Sequence, residues 1–232
     1  MKRAQSSPHR ADVDLAIDIT ELVSGEQRSA AALVLADAMR DNPLHVQAFG
    51  ADPARRRQRL WRFIDQLVRH VQSHGILLGA YAQGELIGVL GMMKPGGCRP
   101  SGLAALRFAG VIVTSNPPAG VWRIARWLAV WARHDPSELH WHIGPLAVVP
   151  ACRRHGVGRR LMMHCCRHVD SLSAAAWLET DLAINASFYE TLGFATIRHE
   201  PVLGVPNWFM RRAPVERGGA SFRDAHLDRP AG

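Results

Sequence analysis

The stretch Leu146-Ala-Val-Val-Pro150-Ala-Cys-Arg-Arg-His155-Gly-Val-Gly158-Arg-Arg160 decides how this chain is read. An apolar run, Ile143 to Val149, enters it and stops at Pro150. The basic turn Arg153-Arg154-His155-Gly156-Val157-Gly158 follows. Val157, Leu161, Cys165 and Val169 then recur at a spacing of four, which places them on one helical face up to about Ser171. Strand, glycine-bearing turn and helix together aim free backbone N–H groups and the positive end of a helix dipole at an anion. Gly156 and Gly158 carry no Cβ, so the backbone can approach that anion closely. The stretch reads as a cradle for a pyrophosphate.

Working outward, the central strand extends back to Leu139 and contains Gly144-Pro145. Proline lacks the ladder N–H, so a bulge or a parting of neighbouring strands is expected there. His140 and His142 alternate along this strand and so share a face. Downstream, Ala175 to Asp181 is expected as a strand and Asn185 to Leu192 as a helix closed by Gly193. Final strands are expected at Phe194 to Glu200 and Trp208 to Arg212, around the turn Gly204-Val205-Pro206-Asn207.

Upstream, Asp14 to Thr20 alternates as a strand and Ser24-Gly25 breaks it. Glu26 to Arg40 is expected as a helix with Ala30, Leu33, Val34 and Met39 near one face. Asp41 to Pro53 is a loop or short helix. Ala54 to Ser73 is a second helix, its stripe Leu60, Ile64, Leu67, Val68 and Val71. Ile76 to Ala82 and Leu86 to Met93 pair as a hairpin across a three-residue connection, Gln83-Gly84-Glu85. The Pro/Gly-rich segment Lys94 to Gly102 is a loop. Leu103 to Val113 and Ala119 to His134 are helices, with Val121, Ile124, Ala125, Leu128 and Trp131 on one face of the second. The result is a single mixed α/β domain over 14–212, with a largely antiparallel first half and a βαβ crossover. Residues 1–13 are expected as a disordered basic leader and 213–232 as a polar tail.

Composition narrows the class. The chain has 232 residues, a net charge of +8 and 47% hydrophobic residues. No apolar run approaches the roughly 18–20 residues of a membrane span, and no secretory signal is read, so a cytoplasmic protein without membrane partners is expected. Almost all of the positive charge is arginine, the lysines being Lys2 and Lys94. The run Arg55-Arg56-Arg57-Gln58-Arg59 reads as a solvated helix face. No basic stripe interleaved with aromatics appears, so nucleic acid is not expected as a partner. Trp122, Trp127, Trp131 and Trp141 read as core or pocket wall. Cys98, Cys152, Cys165 and Cys166 lack zinc-type spacing, so reduced thiols and no metal are expected. Neither Cys98 nor Cys152 has a base motif beside it, so no nucleophilic thiol is expected.

One more pattern follows the cradle: Asn185-Ala-Ser-Phe-Tyr189-Glu-Thr-Leu-Gly193-Phe194, preceded by Leu178-Glu179-Thr180. With these motifs in order, the chain resembles the GNAT superfamily of acyl-CoA-dependent N-acetyltransferases over roughly Ile76 to Arg212. Leu-Glu-Thr is similar to the subgroup that includes puromycin N-acetyltransferase. The resemblance implies a single GNAT-like α/β domain, its mixed, mostly antiparallel sheet splayed at the cofactor strand and flanked by helices. It implies acetyl-CoA as cosubstrate and a small-molecule amine as acceptor, with a homodimer as one assembly.

The resemblance also implies site residues. Backbone N–H groups of Arg153, Arg154, His155, Gly156, Val157, Gly158 and Arg159 would hold the pyrophosphate. Leu146, Ala147 and Val148 would pair with the pantetheine arm, and a backbone N–H near Leu146 would steady the oxyanion. Tyr189 would protonate the leaving thiolate. Asn185 would contact the cofactor and cap its helix. For the base, His142, His140 and Glu179 compete, directly or through water, and an amine that binds already neutral needs none. The acceptor pocket would be lined by Asp41 to Pro53, the strand around His140 to Gly144 and the segment after Phe194. The alternatives to a small-molecule enzyme are a catalytically silent acyl-CoA sensor and a protein or peptide N-acetyltransferase.

Overall fold

The computed structural model describes residues 16–215. The leader, the first two residues of the expected first strand and most of the tail lie outside the described residues.

The elements in order are β1 (Asp18–Glu21), α1 (Gly25–Met39), α2 (Pro43–Phe49), α3 (Pro53–His74), β2 (Gly75–Ala82) and β3 (Glu85–Met93). Then come α4 (Gly102–Ser115), α5 (Pro118–His134), β4 (His140–Val148), α6 (Val157–Ser171), β5 (Ala175–Thr180), α7 (Ala183–Glu190), β6 (Ala195–Val202) and β7 (Val205–Arg212). The strands form one seven-stranded sheet in the order β1-β2-β3-β4-β5-β7-β6. β4 and β5 are parallel, joined through α6, and the other described pairs are antiparallel. This is the expected mixed α/β domain with its single crossover.

The sheet buries both faces. On one, α1, α3 and the α4–α5 pair cover Leu77, Val89, Met93, Trp177 and Phe209. On the other, α6 and α7 cover Leu78, Leu90, Met92, Ile143 and Leu178. Strand alternation sends the residues beside each of these to the opposite core. So His140 and His142 face the α3/α5 side, and Trp141 and Ile143 face α6.

Several expectations change in detail. The break at Ser24 is a helix cap: its side chain accepts from the Gln27 N–H at 3.1 Å, and Gln27 Oε1 accepts from the Ser24 N–H at 3.0 Å. α1 buries Ala31, Ala32, Leu35 and Ala36 and leaves Ala30 and Leu33 exposed. Apolar residues lie all round this helix, so no stripe marks its inner face; the alanines turn inward because they allow close approach to the sheet. The β2–β3 connection is two residues, not three: Gln83 and Gly84 both have positive φ, and Glu85 already pairs with Ala82. The last hairpin likewise turns on Leu203 and Gly204, and the expected turn residues Val205 to Asn207 belong to β7. α4 and α5 form an inserted pair of helices between β3 and β4, where α4 packs on α3 and α5 on α2. Trp127 is buried in the core against Phe63 and Trp131, whereas Trp122 is exposed. No helix among the described residues is long and apolar enough to cross a membrane.

Candidate functional site

Two sites meet at β4, one on each side of the sheet. The first begins where β4 and β5 part. They pair only at His140↔Ala175, Trp141↔Ala176 and His142↔Trp177. Beyond His142 the β5-facing edge of β4 loses its ladder partner. On the other edge, the β3–β4 register shifts between Leu90 and Met92, opposite Gly144-Pro145. Gly91 is required there: a Cβ would lie 2.6 Å from the Gly144 carbonyl oxygen. The expected separation of strands at Gly144-Pro145 is therefore present, and it opens toward β5.

The parted edge leads into the cradle. After the short turn Pro150–Cys152, Arg154 and Gly156 adopt positive φ, and Gly156 is the N-cap of α6. The first intrahelical bond runs from Arg160 N–H to the Gly156 carbonyl at 2.9 Å. That leaves the N–H groups of Val157, Gly158 and Arg159 without a partner inside the helix. Gly158 has room before it, since its missing Cβ would meet only Val148 Cγ2, at 3.7 Å. Arg153 is not a free phosphate arm: its guanidinium donates to the Ala38 carbonyl at 2.8 Å and the Val148 carbonyl at 3.3 Å. It fixes the turn to the end of α1. Arg154 and His155 are exposed on the rim, and Arg159 donates to Thr191 Oγ1 at 3.1 Å, which ties α6 to α7.

Tyr189, on α7, is buried between α6 and α7 among Phe188, Phe194 and Cys165. Burial pushes its hydroxyl well above the ordinary phenol range, with the Cys165 sulfur adding to the shift. Asn185 is not the cap of α7. The helix starts two residues earlier, with Leu182 as the cap, and the Asn185 N–H donates to the Leu182 carbonyl at 3.0 Å. The side chain that marks the approach is Thr180, whose Oγ1 accepts from the Leu182 N–H at 3.3 Å. The neighbouring Asp181 carboxylate accepts from the Leu44 N–H at 2.8 Å and so anchors α2.

The second site lies on the opposite side of β4. His142 and Glu179, the rival candidates for the base, are brought into direct contact, with His142 Nε2 3.0 Å from Glu179 Oε2. Glu179 is also held by Trp177 Nε1, which donates to Oε1 at 2.7 Å. The Glu179 side chain is 2% exposed, so both its oxygens are committed within the protein. His140 Nδ1 donates to the Glu138 carbonyl at 2.7 Å, and its Nε2 lies 3.2 Å from Asp135 Oδ1. Cys98 Sγ lies 3.8 Å from His140 Nε2, and His142 Nδ1 lies 3.8 Å from Asp135 Oδ1.

These neighbours fix the protonation of the group. Burial favours neutral imidazole, but Glu179, Asp135 and Cys98 outweigh it and hold His142 well above the usual range. Burial likewise opposes the charge on His140, while Asp135 and Cys98 lift it to about 10. Against the opposing effect of burial, the two histidines hold the Asp135 carboxyl well below the carboxylate range and bring the Cys98 thiol down to about 7. A histidine that keeps its proton at neutral pH is a poor base, and of the four ring nitrogens only His142 Nδ1, which is buried, lacks a hydrogen-bond partner.

Cys98 and Asp135 are the residues that sequence reading missed here. Cys98 stood in a Pro/Gly loop with no base motif beside it, yet the fold sets His140 against it. Asp135 read only as the stop of a helix in Asp135-Pro136. No spacing in the sequence links them to the histidines. His140 and His142 were found because strand alternation is local.

Residues 43–194 match the model of the acetyltransferase (GNAT) family. Among solved structures, the fold is similar to a histone acetyltransferase HPA2 and related acetyltransferase from Corynebacterium glutamicum, at TM-score 0.64 and 17% identity, covering 87% of this chain and 98% of that one. It is similar to the PaiA N-acetyltransferase from Thermoplasma acidophilum in complex with coenzyme A, at TM-score 0.52 and 13% identity, covering 86% and 99%. It is also similar to the ribosomal-protein-S18-alanine N-acetyltransferase from Escherichia coli, at TM-score 0.51 and 14% identity, covering 89% and 99%.

Proposed function

Because this chain belongs to the acetyltransferase (GNAT) family, we propose that it transfers the acetyl group of acetyl-CoA to the amine of a small molecule by direct attack on the thioester. The observation that carries this reading is the parting of β4 from β5 immediately before a helix N-terminus with three free N–H groups. A pantetheine arm needs a strand edge to bond with, and a pyrophosphate needs a cluster of donors. Both are supplied in sequence along one stretch of backbone.

In this reading the N–H groups of Val157, Gly158 and Arg159 hold the pyrophosphate, with Arg154 and His155 at its rim. The edge of Leu146, Ala147 and Val148 bonds the amides of the arm and aligns the thioester. A backbone N–H near Leu146 steadies charge on the carbonyl oxygen as the amine attacks. Tyr189 donates its proton to the leaving thiolate. Its raised pKa keeps that proton in place through the neutral range. The amine binds neutral and loses its proton to water, because His140, His142 and Glu179 are all engaged with one another or with Asp135, Cys98 and Trp177.

The acceptor would lie on the α3/α5 side, near α2. α2 packs on α5, with His45 against Trp127 and the Leu44 N–H bound to Asp181. The narrower likeness to the puromycin subgroup rests on Leu178-Glu179-Thr180 alone.

Calorimetry with acetyl-CoA and CoA, followed by a thiol-release screen over small amines and peptides, tests the proposal. Binding with turnover on small amines is expected. No binding would sink it. Binding without turnover on any amine would shift the reading to an acyl-CoA sensor, and turnover on peptides alone would shift it to a protein acetyltransferase.

A further inference from the structure

We propose that Cys98, Asp135, His140 and His142 form a tetrahedral site for a divalent transition metal, zinc by its donor set, which clamps the base of the α4–α5 insertion onto β4. One ligand atom from each of the four lies within 4.8 Å of all the others. Zinc–ligand bonds of 2.0–2.3 Å place tetrahedral donors about 3.3–3.8 Å apart. The observed separations are 3.2 Å for His140 Nε2 to Asp135 Oδ1, 3.8 Å for His142 Nδ1 to Asp135 Oδ1 and 3.8 Å for Cys98 Sγ to His140 Nε2. These three separations are close to a tetrahedral edge, and the others stay within 4.8 Å.

Two further observations point to a cation. Asp135 Oδ1 and His142 Nδ1 are buried and meet no partner in hydrogen-bond geometry; Oδ1 has only its ion contacts to the two rings, at 3.2 and 3.8 Å. Leaving such atoms unsatisfied is costly, and a metal at their meeting point satisfies both. The outer ring nitrogens are also bound as those of metal-bound histidines are. His140 Nδ1 is fixed by the Glu138 carbonyl and His142 Nε2 by the Glu179 carboxylate. Each imidazole thereby turns its other nitrogen inward. Glu179 thus becomes a positioning residue for His142.

Thiolate, two imidazoles and one carboxylate are a borderline-soft set that suits zinc and excludes calcium and magnesium. Four protein donors fill a tetrahedral shell, which marks a structural site and not a catalytic one with an open position. The placement explains the structural use. Cys98 precedes α4 and Asp135 is the C-cap of α5, so the two bracket the insertion. Arg99 already draws these ends together, donating to the Ala132 carbonyl at 2.5 Å and lying 3.5 Å from Asp135 Oδ2. His140 and His142 supply the anchor on the sheet.

The test uses the full chain, expressed with zinc supplied and then exchanged to cobalt(II). One zinc per chain is expected after gel filtration. The cobalt form should show tetrahedral d–d bands and a thiolate-to-cobalt charge-transfer band. Cys98→Ser should lose the charge-transfer band. Glu179→Gln should weaken zinc binding by about 10–100-fold without changing the stoichiometry. If Cys98→Ser fails to fold, a lower Tm of the wild-type protein under chelator, restored by zinc, supports the site. A wild-type protein that takes up neither zinc nor cobalt overturns the proposal. So does a charge-transfer band that persists in Cys98→Ser. Acetyl-CoA binding is read separately by calorimetry, so failure here leaves the acetyl-transfer reading standing.

Discussion

The two sides of β4 are built in different ways. On the α6 side, the parted edge, the turn and the helix N-terminus are consecutive in the chain, and their chemistry resides in backbone N–H groups. On the α3/α5 side, the cluster draws one residue from a loop, one from a helix end and two from a strand, with a carboxylate from the next strand. Its chemistry resides in side chains. A backbone site tolerates sequence change so long as the local conformation persists, and a side-chain site does not. The first site can therefore recur across distant relatives, while the second can belong to this chain.

Changes on one side of β4 should leave the other side intact. The largest effect is expected from Tyr189→Phe, which should slow acetyl transfer by about 1,000-fold and leave acetyl-CoA affinity and metal content unchanged. Steady-state kinetics with calorimetry read both, and a full-rate variant would remove Tyr189 from the mechanism. Next, Gly158→Asp sets a carboxylate among the donors at the α6 N-terminus. Acetyl-CoA affinity should fall by about 100-fold, or roughly 2.7 kcal/mol, with metal content as in the wild type. Retained affinity would mean that the pyrophosphate sits elsewhere. Asp135→Asn acts on the opposite side. It should raise KM for the amine by about 10-fold, through a loosened insertion, while the Kd for acetyl-CoA stays within about twofold. An equal loss in both would show that the two sides are not separable.

The smallest change is in pH dependence. On the proposed route, in which water takes the proton of a neutral amine, the acidic limb of kcat/KM should follow the pKa of the amine supplied and move when the amine is changed. A limb that stays in place would assign the proton to an enzyme group. Tyr189 is held protonated above the ordinary phenol value of about 10. It should therefore contribute no basic limb below that pH, since a donor with a raised pKa loses its proton only as pH climbs past the raised value.

Legibility in the sequence followed the same division. α3 reads directly because Leu60, Ile64, Val68 and Val71 recur at the helical period and are all buried. α6 reads because Val157, Leu161, Cys165 and Val169 do the same. α1 misleads, since Leu33 is exposed and Ala31 and Ala32 are buried. In an alanine-rich helix, the neighbour that approaches decides the inner face. Asn185 misleads for a related reason: asparagine is a good cap, but the Thr180 hydroxyl and the Leu182 backbone begin the helix first.

The order of elements, the strand break at Gly144-Pro145, the turn into α6 at Gly156 to Gly158 and the shared face of His140 and His142 could all be read from the sequence. Each of these depends on residues a few positions apart, where backbone geometry sets the outcome. It took the folded chain to show that Cys98 and Asp135 meet those histidines and that Glu179 hydrogen-bonds His142. Those contacts depend on how the α4–α5 insertion folds back onto β4. Packing across the chain fixes that, and local spacing carries no trace of it.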